Sequence, residues 1–122
     1  MIKKGNDFMS KKFFFWLDDE RPIPNSFYRL KNMGFEIFRC SNYKSMKGWL
    51  EELSIFDPEA HIYISFDHDL GEGKTGYDVA KYIVENNINL KCYWIHSMNP
   101  VGVKNIYELL DHYGFTRKYF WL

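Results

Sequence analysis

The sequence predicts an α/β fold, a parallel sheet of strand order 2-1-3-4-5 held between helices as a three-layer sandwich. Three observations lead there. Short runs such as Phe13-Phe14-Phe15-Trp16-Leu17 are apolar on both faces, as buried parallel strands are. Segments with helical spacing of apolar residues separate these runs. Acidic or polar residues follow the runs directly, where a parallel sheet presents its ligand edge.

In order, Phe13–Leu17 is the first strand, and Asp18-Asp19-Glu20 follows it at once. Pro22 and Pro24 restrict their predecessors and delay any helix to Ser26–Met33, with Gly34 as its stop. Phe35–Cys40 reads as the second strand. Ser41 or Asn42 can cap a helix to about Leu53, in which Met46, Trp49, Leu50 and Leu53 share a core-facing side. Asp57-Pro58 marks a loop, and His61–Phe66 is a third strand ending in Asp67-His68-Asp69. After the loop Gly71-Glu72-Gly73-Lys74-Thr75-Gly76, a helix runs to about Glu85 with Val79, Tyr82 and Ile83 apolar. Cys92–Ile95 is a fourth strand, followed by His96-Ser97-Met98-Asn99-Pro100. A helix over Val101–Tyr113 stops at Gly114, and Phe115–Leu122 is the candidate fifth strand.

The 122 residues suit one domain over 13–122, with a flexible polar start over 1–12; Met9 is an alternative start. Apolar residues at 46% suffice for a core without a disulfide or structural metal. Lys+Arg and Asp+Glu both number 16, which argues against a general nucleic-acid binder, so no DNA partner is expected. A short basic groove stays open. Cys40 and Cys92 form no CxxC pair, which excludes a zinc ribbon or redox dithiol and fits a reducing cytoplasm. No apolar run is long enough for a membrane span. The oligomeric state is not legible.

The chemistry gathers at the strand ends. Asp18, Asp19, Asp67 and Asp69 converge if the first and third strands are neighbours, and carboxylates brought together either shift a pKa or take a cation. Hard oxygen ligands suit Mg²⁺ or Mn²⁺. The plainer alternative is that these residues cap neighbouring turns in solvent. His96 and His68 are candidate proton-transfer groups, His96 the stronger because it directly precedes a helix start. Ser97 and Asn99 can donate to a phosphate there, or merely cap the helix beginning near Pro100. Arg21 can bridge to phosphate or pair with Asp19. The Gly-Lys-Thr letters at 73–75 are not a phosphate-binding P-loop, because position 68 is His where a first glycine is required. The aromatic tail Tyr119-Phe120-Trp121 reads as core or edge strand.

Taken together, Leu17-Asp18-Asp19-Glu20-Arg21-Pro22, Ser65-Phe66-Asp67-His68-Asp69-Leu70-Gly71, Thr75-Gly76-Tyr77-Asp78 and His96-Ser97-Met98-Asn99-Pro100-Val101-Gly102 resemble a receiver-like family named for cyclic-phosphate processing, across residues 13 to about 113. The resemblance implies a receiver-like (flavodoxin-like) fold and a metal-assisted phosphoesterase-like domain, a hydrolase opening cyclic phosphates on RNA ends, as in RNA repair, or on nucleotides. In ordinary receivers an acidic pair, here Asp18 and Asp19, holds Mg²⁺. A phosphoacceptor ends the third strand, here Asp67, and the residue two further on, here Asp69, lends its carbonyl. Ser97 matches a Ser or Thr. The expected late Lys has only Lys118 as a candidate, and the usual last helix is missing. Two readings stay open beside the enzyme: a stand-alone receiver phosphorylated on Asp67, and a non-catalytic protein that holds a cyclic nucleotide. Phe66-Asp67-His68-Asp69 also resembles the DxD of haloacid-dehalogenase-like phosphatases, but those need it on the first strand.

Overall fold

The computed structural model describes residues 10–71 and 73–120. Of the expected flexible start, residues 1–9 lie outside these, as do the last two residues of the expected fifth strand; Lys12 already belongs to a strand. The elements run β1 (Lys12–Leu17), a 3-10 helix (Asn25–Met33), β2 (Phe35–Cys40), α1 (Tyr43–Phe56), β3 (His61–Phe66), α2 (Gly76–Glu85), β4 (Leu90–Ile95) and α3 (Pro100–His112). The sheet is parallel, in the order β2-β1-β3-β4.

From β2 onward the chain always steps the same way across the sheet. Right-handed connections therefore put α1 and α2 on one face, and the oppositely directed β1-to-β2 connection puts the 3-10 helix on the other. The core divides accordingly. Phe13, Phe15, Leu17, Ile62, Ile64 and Phe66 pack with Met46 and Leu50 of α1, Val79 and Ile83 of α2, and Ile106 and Leu110 of α3. Phe14, Trp16, Cys92 and Trp94 face Leu30 and Phe27. The β1 run is apolar throughout because alternate residues enter different cores. Cys40 and Cys92 are both buried free thiols. Among the described residues no helix is long and apolar enough to cross a membrane.

Two expectations are corrected. The segment Asn25–Met33 is a 3-10 helix rather than an α-helix. It starts behind Pro24 in extended conformation, without a side-chain cap, and closes as expected on left-handed Gly34. The fifth strand is reduced to one parallel bridge, Tyr93 to Arg117, made by Tyr93 N–H to the Thr116 carbonyl at 3.0 Å and Lys118 N–H to the Tyr93 carbonyl at 2.6 Å. The order observed is therefore 2-1-3-4. The physical reason is lack of cover: Tyr119 and Phe120 are 68% and 82% exposed, whereas a strand beside β4 would bury both of its faces.

Candidate functional site

Register assembles the site. Leu17 of β1 pairs with Phe66 of β3, which pairs with Ile95 of β4, so Asp18, Asp67 and His96 each follow the last paired residue of their strands. The row continues one step beyond the sheet, with Asp67 N–H donating to the Leu17 carbonyl and His96 N–H to the Phe66 carbonyl, both at 2.9 Å. The acidic strand ends that the sequence predicts to converge are thus side by side.

Asp18 is fully buried and fully used. Its Oδ1 accepts the backbone N–H groups of Glu20 at 2.8 Å and Arg21 at 2.7 Å. Its Oδ2 accepts Arg21 Nε–H at 3.1 Å and pairs with His96 Nε2 at 3.0 Å. Burial works against this carboxylate, but the Arg21 and Glu20 N–H groups and His96 outweigh it and hold the pKa below its usual value. Asp67 goes the other way. Burial and the neighbouring Asp18 charge raise its pKa, only partly offset by the His68 N–H, Ser97 and Arg21.

The His96 ring is engaged at both nitrogens. Ionised Asp18 can only accept, so Nε2 carries the proton and Nδ1 accepts the Ser65 hydroxyl at 2.8 Å. The ring lies flat on Trp16, with centroids 3.7 Å apart and planes at 5°. Burial lowers its pKa to about 4 against the opposing pull of Asp18, so at neutral pH the Asp18–His96 contact is a hydrogen bond of a neutral imidazole rather than an ion pair. Ser65 and Trp16 are the partners that sequence reasoning missed, since nothing short of the register between β1, β3 and β4 sets them against His96.

His68 is placed elsewhere. Its ring sits against α3, so close to Gly102 that a Cβ on that residue would overlap it, and its Nδ1 is buried without a partner. Asn99 caps α3 by accepting Gly102 N–H at 3.0 Å, and its amide reaches Asp69 at 3.3 Å. Ser97 Oγ accepts Asn99 N–H at 3.1 Å and stands near enough to Asp67 to lower its pKa. Asn99 therefore both caps α3 and reaches a cleft aspartate, while Ser97 braces the cap residue rather than the helix.

An open cleft of about 490 Å³ lies at this edge, lined by Asp19, Glu20, Arg21, Asp67, Asp69, Gly71 and Met98. Among the described residues Arg21 is its one cationic lining residue. A different trio, Asp18, Asp67 and His96, has ligand atoms all within 4.8 Å of one another. A hydrated cation needs free oxygen lone pairs and room for water. Asp18 has no lone pair left, whereas Asp19, Asp67 and Asp69 face the cleft, so the donor set that fits a divalent cation is the cleft's. Lys118 does not line it. It borders a separate cavity of about 410 Å³ on the 3-10 face, with Lys12, Lys91, Phe35 and Trp94.

This parallel sheet, with its acidic cleft beyond the carboxyl ends of β1 and β3, defines a receiver-like α/β domain. A family model for the cyclic-phosphate processing receiver domain matches residues 13–112, and the chain belongs to that family. No curated protein matches the chain.

Proposed function

We propose that the cleft binds a divalent cation, Mg²⁺ or Mn²⁺, together with a cyclic phosphate on an RNA end or a nucleotide, and hydrolyses the phosphate ring. The observation that carries this reading is the cleft lining: three aspartates and one guanidinium at the ligand edge of a chain from this family. Asp19, Asp67 and the Asp69 carbonyl would hold the cation, which when bound supplies charge for the phosphoryl oxygens. Opening the ring adds one water. One P–O ester bond breaks, hydroxide from water ends on phosphorus, and the proton ends on the leaving sugar oxygen. The proton travels through water in the cleft, and Asp67, whose pKa burial and the Asp18 charge raise, is the lining carboxylate that a cation would relieve most. His96, with both nitrogens occupied, positions Asp18 and through it Arg21. Met98, 84% exposed at the cleft wall, offers an apolar face to a base.

The test is product analysis. The protein is incubated with RNA bearing a 2′,3′-cyclic phosphate and with cyclic nucleotides, and the products are weighed by mass spectrometry. A phosphomonoester or linearised nucleotide is the expected outcome. Ligand retained intact would instead make the protein a binder. A cation-dependent change induced only by an acyl-phosphate mimic would make Asp67 a phosphoacceptor.

A further inference from the structure

We propose that Arg21 is the resident counter-ion of the cleft, displaced from Asp67 by an incoming divalent cation and thereby turned to the phosphate. The inference rests on the reading of the cleft as a cation and phosphate site. It starts from a charge imbalance: Asp19, Glu20, Asp67 and Asp69 line the cleft, and among the described residues Arg21 is the only cation lining it. A free phosphate would be repelled by such a lining. Arg21 offsets part of this charge: its Nε–H bonds Asp18 at 3.1 Å while its Nη2 stands 3.9 Å from Asp67 Oδ2.

The anchoring of this residue is lopsided. Its backbone is fixed: the N–H donates to Asp18, and the carbonyl accepts Trp16 Nε1–H at 3.0 Å and Arg39 Nε–H at 3.2 Å. Its guanidinium is held loosely, 46% exposed, with Nη2 making only a 3.3 Å bond to the His96 carbonyl beside the long contact to Asp67. Asp18 keeps its two backbone donors and His96 when the guanidinium leaves, and the arriving cation supplies the positive charge that this buried carboxylate loses. A cation on Asp67 replaces what Arg21 supplied there. The guanidinium is then free to take phosphate oxygens by its two-pronged geometry.

Exchange predicts opposite signs for two ligands. Arg21→Gln should bind Mn²⁺ or Mg²⁺ alone more tightly than the unaltered chain, by about three- to tenfold, because the competing cation is gone. The same variant should bind inorganic phosphate at saturating cation about tenfold more weakly or worse. Arg21→Lys, which keeps the charge without the fork, should fall between on both and serves if the glutamine variant does not fold. Calorimetric titration reads both affinities. Equal or weaker cation binding by Arg21→Gln, with the unaltered chain still binding cation, overturns the exchange and leaves the cleft reading standing. No cation binding by any of the three overturns both.

Discussion

Three groups hold the ring of His96: Trp16 beneath it, Ser65 at Nδ1 and Asp18 at Nε2. Its pKa is lowered from 6.5 to about 4, so between those values the unfolded chain binds more protons than the folded one. Stability is then fully present above the unfolded pKa and is lost as pH falls toward the folded one. From pH 7 to pH 5 this one group should cost about 2 kcal/mol. Asp67, with its pKa raised, contributes the opposite slope, confined to pH above 3.8 and below its folded value. His96→Gln can keep both hydrogen bonds but does not titrate. Denaturant unfolding in the presence of EDTA should show the wild-type loss at pH 5 and its absence in the variant; equal slopes would place His96 outside this arrangement. The strand-end positions of Asp18, Asp67 and His96 were legible because apolar runs end abruptly in polar residues. The quieting of His96 was not, because its partners come from two other strands, β1 and β3.

Elements meet around His68 and the starts of α2 and α3. Gly76 and Gly102 allow this: a Cβ on Gly76 would overlap the Asp67 carbonyl, and one on Gly102 the His68 ring. A ring can give a little and a backbone cannot, so Gly102→Ala should cost about 1–3 kcal/mol and Gly76→Ala more. Chemical denaturation of the two variants checks the ranking. Helix caps separate in the same way. Asn42 accepts Ser45 N–H and does not line the cleft, while Asn99 caps α3 and also touches Asp69. Either Ala substitution should cost about 1 kcal/mol. Only Asn99→Ala should also weaken cation binding, as titration would show. The caps were readable from residue type, and so was the stop at Gly34. The 3-10 form of Asn25–Met33 was not, since Leu30 and Phe27 serve the core in either helix. The fifth strand failed for a related reason: aromatic residues mark strand propensity, but whether anything covers them is a tertiary fact.

Across the whole molecule the three α-helices cover one face of the sheet and the 3-10 helix the other, while the chemistry lies at the carboxyl edge between them. The strand alternation and two acidic strand ends were enough to read this layout, because parallel sheets have one ligand edge. Which carboxylates stay open was beyond the sequence, for Asp18 and Asp19 are adjacent and only the turn to Arg21 consumes the first. Cation-dependent opening of a cyclic phosphate in the cleft around Asp67 is the activity this layout would serve. Phosphorus NMR of a nucleoside 2′,3′-cyclic phosphate with the protein tests it most directly. Conversion of the cyclic signal to a monoester signal is expected with Mn²⁺ or Mg²⁺, stopped by EDTA and lost or sharply reduced in Asp67→Asn, which removes a cation ligand. A cyclic signal that persists with stoichiometric protein and cation, or conversion that Asp67→Asn leaves unchanged, would contradict it.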